Sequence, residues 1–460
     1  MNQPSPLADA LVGTPLRVIA AGLLSALALL PGAASAIPAF NRQTGQNCVA
    51  CHAGGQFPEL TSYGRMFKLT GYTIGERAIP LSAMLLGSVS KVADKSKSAD
   101  PAADFQKNGT AMMATASLLA GGKVTDKLGA FVQVTYDPYA TQGDDGRYHG
   151  HSNADNIDIR YADRFINVER DLIVGVTANN NPSVSDPWNT AAAWMQYVPV
   201  PSTTSSRFID GNAPYPGFGA GGNLAGVTVY GYWNRTIYAE FGGYRSATGA
   251  LAFMSGGIPD ADTTKLRGTN PYWRLAYNRE WGAHSLMLGT SGMVARIYDD
   301  PLDTSDPANT HRDKDLGLDA QYQYLLDPHS VTAQVAFMRN TTRYSAAQAS
   351  PNASDTTKTL RGKLTYVYQA KYGGSLGLFK LSGTTNSANA VANPVDGNLS
   401  GDPATRGATL EAFWTPVQNL RIGAQYTLYN RFNGAASNYD GFGRNARDNN
   451  SLFLYTWLAF

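Results

Sequence analysis

The residues best equipped for chemistry sit together in NRQTGQNCVACHAGG, Asn41–Gly55, which holds Cys48 and Cys51, the two cysteines of a 460-residue chain, with His52 directly after the second. Two thiols separated by two residues and followed by an imidazole admit three chemistries: a redox dithiol, half of a zinc site, or the attachment motif of a c-type haem. Zinc requires two more nearby ligands, and the next histidines, His149 and His151, lie roughly a hundred residues further along. A thioredoxin-like pair belongs between a strand and a helix, a context this glycine-rich surrounding does not offer. Haem attachment uses every residue. The thiols add to the two vinyl groups, and His52 becomes the proximal ligand of the iron. The expected cofactor is one covalent haem c, bound through Cys48 and Cys51.

Covalent haem and two cysteines outside any disulfide framework point to an exported protein. Arg17 precedes the apolar run VIAAGLLSALALL, too short to span a membrane, and Ala34-Ser35-Ala36 supplies a small-x-small cleavage site. Residues 1–36 therefore read as a signal peptide, with the mature chain starting at Ile37. Residues 37–80 form the haem segment, too short to close a core of its own. Residues 81–460 must supply its surroundings.

That remainder is rich in glycine and tyrosine within a chain containing Gly 47 and Tyr 25, only 16% charged and 43% hydrophobic, with mean hydropathy -0.25. Past the leader no apolar run reaches the ~20 residues of a spanning helix. The period is two. Leu316, Leu318, Ala320, Tyr322 and Tyr324 alternate with Gly317, Asp319, Gln321 and Gln323, and Leu420, Ile422, Ala424, Tyr426 and Leu428 alternate with Arg421, Gly423, Gln425 and Thr427. Ile157, Ile159 and Tyr161 alternate likewise with Asp158, Arg160 and Ala162. A soluble sandwich also alternates, so the connections decide. They run long around 91–107, 138–153, 180–223, 246–270, 298–313, 345–356, 384–405 and 432–449, and short between. Long loops alternating with tight turns and an even strand number are the marks of a transmembrane barrel. The chain ends SLFLYTWLAF, with Leu452, Leu454, Thr456, Leu458 and Phe460 on one face. A terminal Phe on an amphipathic strand resembles the recognition signal of bacterial outer-membrane barrels. The expected fold is all-β: an antiparallel transmembrane barrel of about sixteen strands in the bacterial outer membrane, both mature termini on the periplasmic side. Its wet lumen bears Glu240, Arg274, Asp319, Arg361, Lys363 and Arg421, and the haem segment folds inside as a plug.

IPAFNRQTGQNCVACH, followed by FPELTSYGRMFKLTGYT, resembles the N-terminal part of the fused monohaem cytochrome–porins of bacterial outer membranes. In that family Pro-x-Phe-x-Arg-Gln-Thr-Gly precedes the haem motif and Phe-Pro-x-Leu-Thr-x-(aromatic)-Gly-Arg follows it. The match covers Ile37 to Thr73, with a second familiar stretch in NNPSVSDPWNTAAAW, Asn180 to Trp194; the spacer AGG after His52 is longer than the family pattern. The resemblance implies oxidation of extracellular Fe(II), the electron passing inward to a periplasmic c-type cytochrome or similar carrier.

For the distal iron ligand Met66 is the nearest candidate, with a gap-filling role beside Phe67 and Leu69 as its alternative. Met84, Met112 and Met113 lie on early strands. Arg42, Gln43, Thr44, Arg65 and Lys68 are candidates for haem propionates, or else anchors of the segment. In QGDDGRYHGHSNAD, Asp144, Asp145, His149, His151 and Asp155 offer oxygen and nitrogen ligands for docking Fe(II), or form an ordinary solvated loop. Asn180–Gly222 either enters the lumen over the haem or stays outside. Lys+Arg 37 against Asp+Glu 35 gives +2, which with no basic cluster argues against nucleic acid as a partner. No Walker loop, G-x-S-x-G or H-E-x-x-H occurs, so the expected activity is one-electron transfer without bond-making. Two alternatives stand beside it: a diffusion porin with a structural haem plug, and a haem-based small-molecule enzyme or sensor.

Overall fold

A computed structural model describes residues 38–55, 59–94, 108–143, 145–190, 223–257, 263–348, 350–395 and 397–460; the leader of residues 1–36 lies outside the described residues. Three short helices come first, α1 Pro38–Thr44, α2 Cys48–Cys51 and α3 Ser62–Leu69. The strands are β1 Leu81–Val92, β2 Ala111–Lys123, β3 Leu128–Gln142, β4 Tyr148–Ile166, β5 Asp171–Asn179, β6 Leu224–Trp233, β7 Ile237–Ser246 and β8 Asn270–Trp281. They continue as β9 His284–Tyr298, β10 Thr310–Leu326, β11 His329–Arg343, β12 Ser354–Tyr368, β13 Tyr372–Gly383, β14 Thr405–Val417, β15 Leu420–Arg431 and β16 Ser451–Ala459. A single helical turn, α4 Pro182–Ser185, follows β5.

Each strand pairs antiparallel with its sequence neighbours, and β1 meets β16 from Met84↔Ala459 to Val92↔Ser451, closing a sixteen-strand barrel. Closure leaves no unpaired edge. The period-two alternation sorts the faces as expected. Leu118, Phe241, Leu288, Leu318, Leu360 and Leu454 are exposed on the outer wall, whereas Arg160, Arg274, Asp158 and Glu240 are buried on the inner one. Beside the short turns the outer wall carries Trp233, Trp281, Tyr368 and Tyr372, an aromatic band below the aliphatic belt. Such a surface is accommodated by lipid rather than water.

At one end the strands are joined by turns of two to four residues, for example 234–236, 282–283 and 327–328; at the other the connections are mostly long. The expected loop 138–153 is an exception. β3 and β4 run on as a paired ribbon, Asp137↔His151 and Gln142↔Tyr148, with Tyr139 and Tyr148 edge to face, leaving only residues 143–147 as the connection. Backbone pairing overrides the polar, glycine-rich composition that reads as loop.

The described residues among 38–76 lie against inward-facing side chains near the short-turn end. Phe40 of α1 contacts Phe67, Tyr72 and Phe131 of β3 at centroid distances of 5.0, 5.8 and 6.1 Å. Gln43 donates to the carbonyls of Tyr72 and Ile74 and accepts from the Lys123 amide of β2. On α3, Met66 and Leu69 pack against Ala162, Ile173, Tyr230, Tyr238 and Met287, and the Tyr230 hydroxyl donates to the Leu69 carbonyl at 2.7 Å. Further round the ring, Arg65 reaches Glu280 of β8, Ser285 of β9 and Gln323 of β10, while Glu59 pairs with Lys363 of β12.

The connection after β5 turns inward. Asn181 caps α4 through the amides of Ser183 and Val184, and Arg160 donates to the Ser185 carbonyl. Asp186 binds Arg274, which also holds Asp319 at 2.5 Å; Trp188 is fully buried. Lys68 of α3 donates to the Asp186 carbonyl at 2.9 Å, tying this connection to the segment. Of the stretch Asn180–Gly222, residues 180–190 thus enter the lumen; residues 191–222, with Trp194, lie outside the described residues.

Candidate haem-attachment site

Cys48, Val49, Ala50 and Cys51 make one helical turn, begun by Asn47 in extended conformation and closed by the His52 amide donating to the Cys48 carbonyl at 2.8 Å. His52 then leaves the helix and bridges antiparallel to Leu60, with the Ala53 amide on the Glu59 carbonyl and the Thr61 amide on the Cys51 carbonyl. Thr61 caps α3 by accepting from the Gly64 amide and donates its hydroxyl to the Ala50 carbonyl. The helix lies directly on the motif: a Cβ at residue 64 would stand 2.1 Å from the Cys51 carbonyl oxygen, so only glycine permits this packing.

Cys48 is buried and Cys51 half-buried, and no disulfide joins them. Burial, with Cys48 adding to it, pushes the Cys51 thiol up to about 11. A redox dithiol needs a lowered pKa, so this environment suits a thiol that is capped covalently better than one that cycles. Burial pushes His52 down to about 3, against a smaller opposing contribution from the Glu59 backbone, leaving a neutral imidazole of the kind that ligates iron. The donor set of two neutral thiols on one turn and a neutral imidazole beside them fits a c-type haem. Met84, Leu119, Phe453, Tyr455 and Trp457 from β1, β2 and β16 cluster with Cys48, whose Sγ also donates to Gln418 Oε1 at 3.5 Å.

The candidate distal methionines separate. Met66 packs with Leu69, Trp188 and Tyr230, in a different cluster from Cys48, and Met84 is the one that shares the Cys48 cluster. Met112 faces inward and Met113 outward, which removes Met113 from the lumen.

The propionate candidates bond to the chain itself. Arg42 donates to the carbonyls of Ile79 and Leu81, and the Thr44 hydroxyl donates to the Phe40 carbonyl. Arg65 donates to the Leu60 carbonyl and forms an ion pair with Glu280 at 3.0 Å, its guanidinium 5.9 Å from the Trp188 ring. With Gln43 and Lys68 they act as anchors in this arrangement.

Among the described residues of the expected Fe(II)-docking set, the side chains meet different partners. Asp145 and His149 approach to 3.4 Å on the exposed ribbon, His151 turns to the Gly256 carbonyl, Asp155 accepts from Thr135, and Asp144 lies outside the described residues. Among the described residues, no three His, Cys, Asp or Glu side chains converge as a metal group. Ribbon pairing fixes these side chains at different partners. Sequence reasoning missed the Asp186–Arg274–Asp319 cluster, whose signal is two inward charges of opposite sign on β8 and β10 with an acidic, proline-flanked turn between distant strands.

No family model matches the chain, and no curated protein matches it. Solved structures align with it over 83% of its length at low identity. OmpF of Salmonella typhi, in complex with daunomycin, is 11% identical, covered over 97% of its length, with TM-score 0.46. OprB of Pseudomonas putida is 10% identical, covered over 94%, with TM-score 0.47, and the outer-membrane channel DcaP of Acinetobacter baumannii is 11% identical, covered over 96%, with TM-score 0.44. The likeness is one of barrel outline and goes no further.

Proposed function

We propose that this chain is a bacterial outer-membrane barrel whose lumen is plugged at the short-turn end by a haem c segment, and that it carries single electrons across the membrane. The observation that carries this reading is the clamping of the Cys48–His52 turn by α3, itself tied to inward-facing residues of β4–β10. Extracellular Fe(II) is the donor and a periplasmic c-type cytochrome or similar carrier the acceptor. The short turns and both mature termini face the periplasm, the long connections the outside. Cys48 and Cys51 would hold the haem through thioethers with His52 as a ligand of its iron, and the bound group would supply a one-electron iron couple. Met84, Phe453 and Trp457 pack beside Cys48, while Arg65, Gln43 and Glu59 fix the segment against the barrel.

The sixteen-strand barrel by itself equally suits a diffusion porin with a structural haem plug, and an open sixth position would make a small-molecule haem enzyme or sensor. Stopped-flow absorbance of the oxidised protein in detergent, mixed with Fe(II), tests the main reading. Rapid appearance of the reduced haem bands is the expected result. A haem reduced by dithionite but not by Fe(II) would overturn the iron assignment, and a high-spin spectrum that binds carbon monoxide readily would favour the enzyme or sensor.

A further inference from the structure

On β9–β14 the charges are sorted by face. Asp313, Asp315 and Asp319 of β10, Asp355 of β12 and Glu411 of β14 all stand at inward positions, and no acidic residue occupies an outward one on these strands. Lysines and arginines do the reverse. Of those on the same strands only Arg361 and Lys363 face the lumen, and the rest are exposed on the outer wall at the long-connection end. Period two sets which face a side chain takes, but it does not call for charge on a wall that lipid covers over most of its height.

The register brings these outward cations face to face. Arg312 of β10 lies directly opposite Arg296 of β9 on one side and Arg343 of β11 on the other. Arg339 of β11 is opposite Lys358 of β12, and Lys380 of β13 is opposite Arg406 of β14. Like charges directly opposite on one face of a sheet repel and weaken the pairing. Among the described residues no carboxylate forms an ion pair with any of them, and the one polar partner, Asn430 Oδ1 at 2.7 Å from Arg406 Nε, is neutral. The repulsion is relieved by an anion from outside the chain.

The height of the belt says which anion. Beneath it the same wall exposes Leu318, Val335, Leu360 and Leu378, and nearer the short turns it carries Tyr324, Tyr368 and Tyr372. Tyr324 and Lys314 are ten residues apart, as are Tyr368 and Lys358. At about 3.3 Å per residue and a strand tilt of about 40°, that is roughly 25 Å along the membrane normal. An outer-membrane barrel has an apolar band of this height, so the cations stand where lipid headgroups begin.

We propose that this outward belt of β9–β14 binds the phosphates of a phosphorylated outer-leaflet glycolipid, whose acyl chains lie on the leucines beneath. Arginine suits the task, because its planar fork meets two phosphate oxygens at once and one phosphate bridges two facing guanidinium groups. The leaflet assignment rests on the reading that the long connections face the outside; haem has no part in it.

The test is titration of the full-length protein in detergent, with EDTA present so that no metal bridges the contact, and bound lipid counted by native mass spectrometry. The probes are bisphosphorylated lipid A, dephosphorylated lipid A and inorganic phosphate. Binding of the phosphorylated lipid tighter by about tenfold or more than the dephosphorylated one, and not displaced by inorganic phosphate, is the expected result. Arg296→Gln with Arg312→Gln and Arg343→Gln, and separately Arg339→Gln with Lys358→Gln, are each expected to weaken it by about tenfold or more. Both sets relieve repulsion and leave the strands free to pair, and Lys371→Gln, near the short turns, is expected to change nothing. Equal binding of the two lipids would overturn the proposal. So would displacement by inorganic phosphate, which would make the belt a site for free anions, or full binding by both sets of variants. Orientation is read separately by an epitope inserted at residues 303–306 and detected with antibody on intact cells. A hidden epitope would overturn the reading of which side is outside, and the leaflet with it; a visible epitope without phosphate selectivity would overturn the belt alone.

Discussion

Cys48, Cys51 and His52 differ in what their loss removes. Thioether bonds survive denaturation, so the wild-type chain is expected to keep haem staining after boiling in detergent and electrophoresis. Cys48→Ala with Cys51→Ala together is expected to abolish the stain, while His52→Ala keeps it and loses the low-spin spectrum. Met66 and Met84 divide in the same way. Met66 is 8% exposed among Leu69, Ile173 and Trp188, so Met66→Ala costs about 2–5 kcal/mol of stability and leaves the haem bands in place. Met84→Ala, in the Cys48 cluster, is the substitution that moves them if a methionine sulfur is the distal ligand. The C-x-x-C-H spacing can be read from sequence because it is local, five residues in a row, and the haem it implies belongs to the proposal. The roles of Arg42, Gln43 and Arg65 were not: Arg65 meets Gln323 across 258 residues of sequence, a partnership that only barrel closure creates.

At the scale of elements, α3 and the inward connection after β5 make one packed unit. Trp188 sits edge-on to Tyr238 at 5.5 Å and Tyr232 at 6.2 Å, and beneath it lie Met66 and Leu69. Trp188→Ala is expected to cost about 3–5 kcal/mol and to expose residues 38–76 to limited proteolysis while the barrel stays resistant. Lys68 gives a pH signature. Burial first, and then the like charge of Arg160, push it down to about 8 from an ordinary 10.5. The unfolded chain therefore binds the extra proton between about pH 8 and 10.5, and stability rises with pH across that window. Lys68→Met is expected to flatten this rise, worth on the order of 3 kcal/mol at neutral pH, in thermal melts of detergent-solubilised protein. The strands themselves were legible from alternation, because a wall between lumen and lipid demands it. The ribbon of β3 and β4 was not, because it lies beyond that wall and its polar residues no longer alternate in hydrophobicity.

For the whole molecule, closure of the barrel and the seating of residues 38–76 are separate. The barrel is sealed by the β1–β16 ladder and by mutual hydrogen bonds between Ala83 and Phe460, none of which uses residues 38–76. The segment in turn is fastened by side chains from many strands, so no single bond holds it. A chain lacking residues 37–77 but keeping the leader is therefore expected to close as a barrel and to migrate as a folded, heat-modifiable species. What it loses is the material between Arg160, Glu280 and Lys363 at the short-turn end. In planar lipid bilayers the intact protein is expected to pass little ionic current and the truncated one to conduct steadily, as a sixteen-strand lumen does when nothing fills it. Equal, large conductance of both would show that the segment leaves an open path, and would move the balance to the diffusion porin. Equal, small conductance would mean that the inward connection around Asp186 and Trp188 closes the lumen without help.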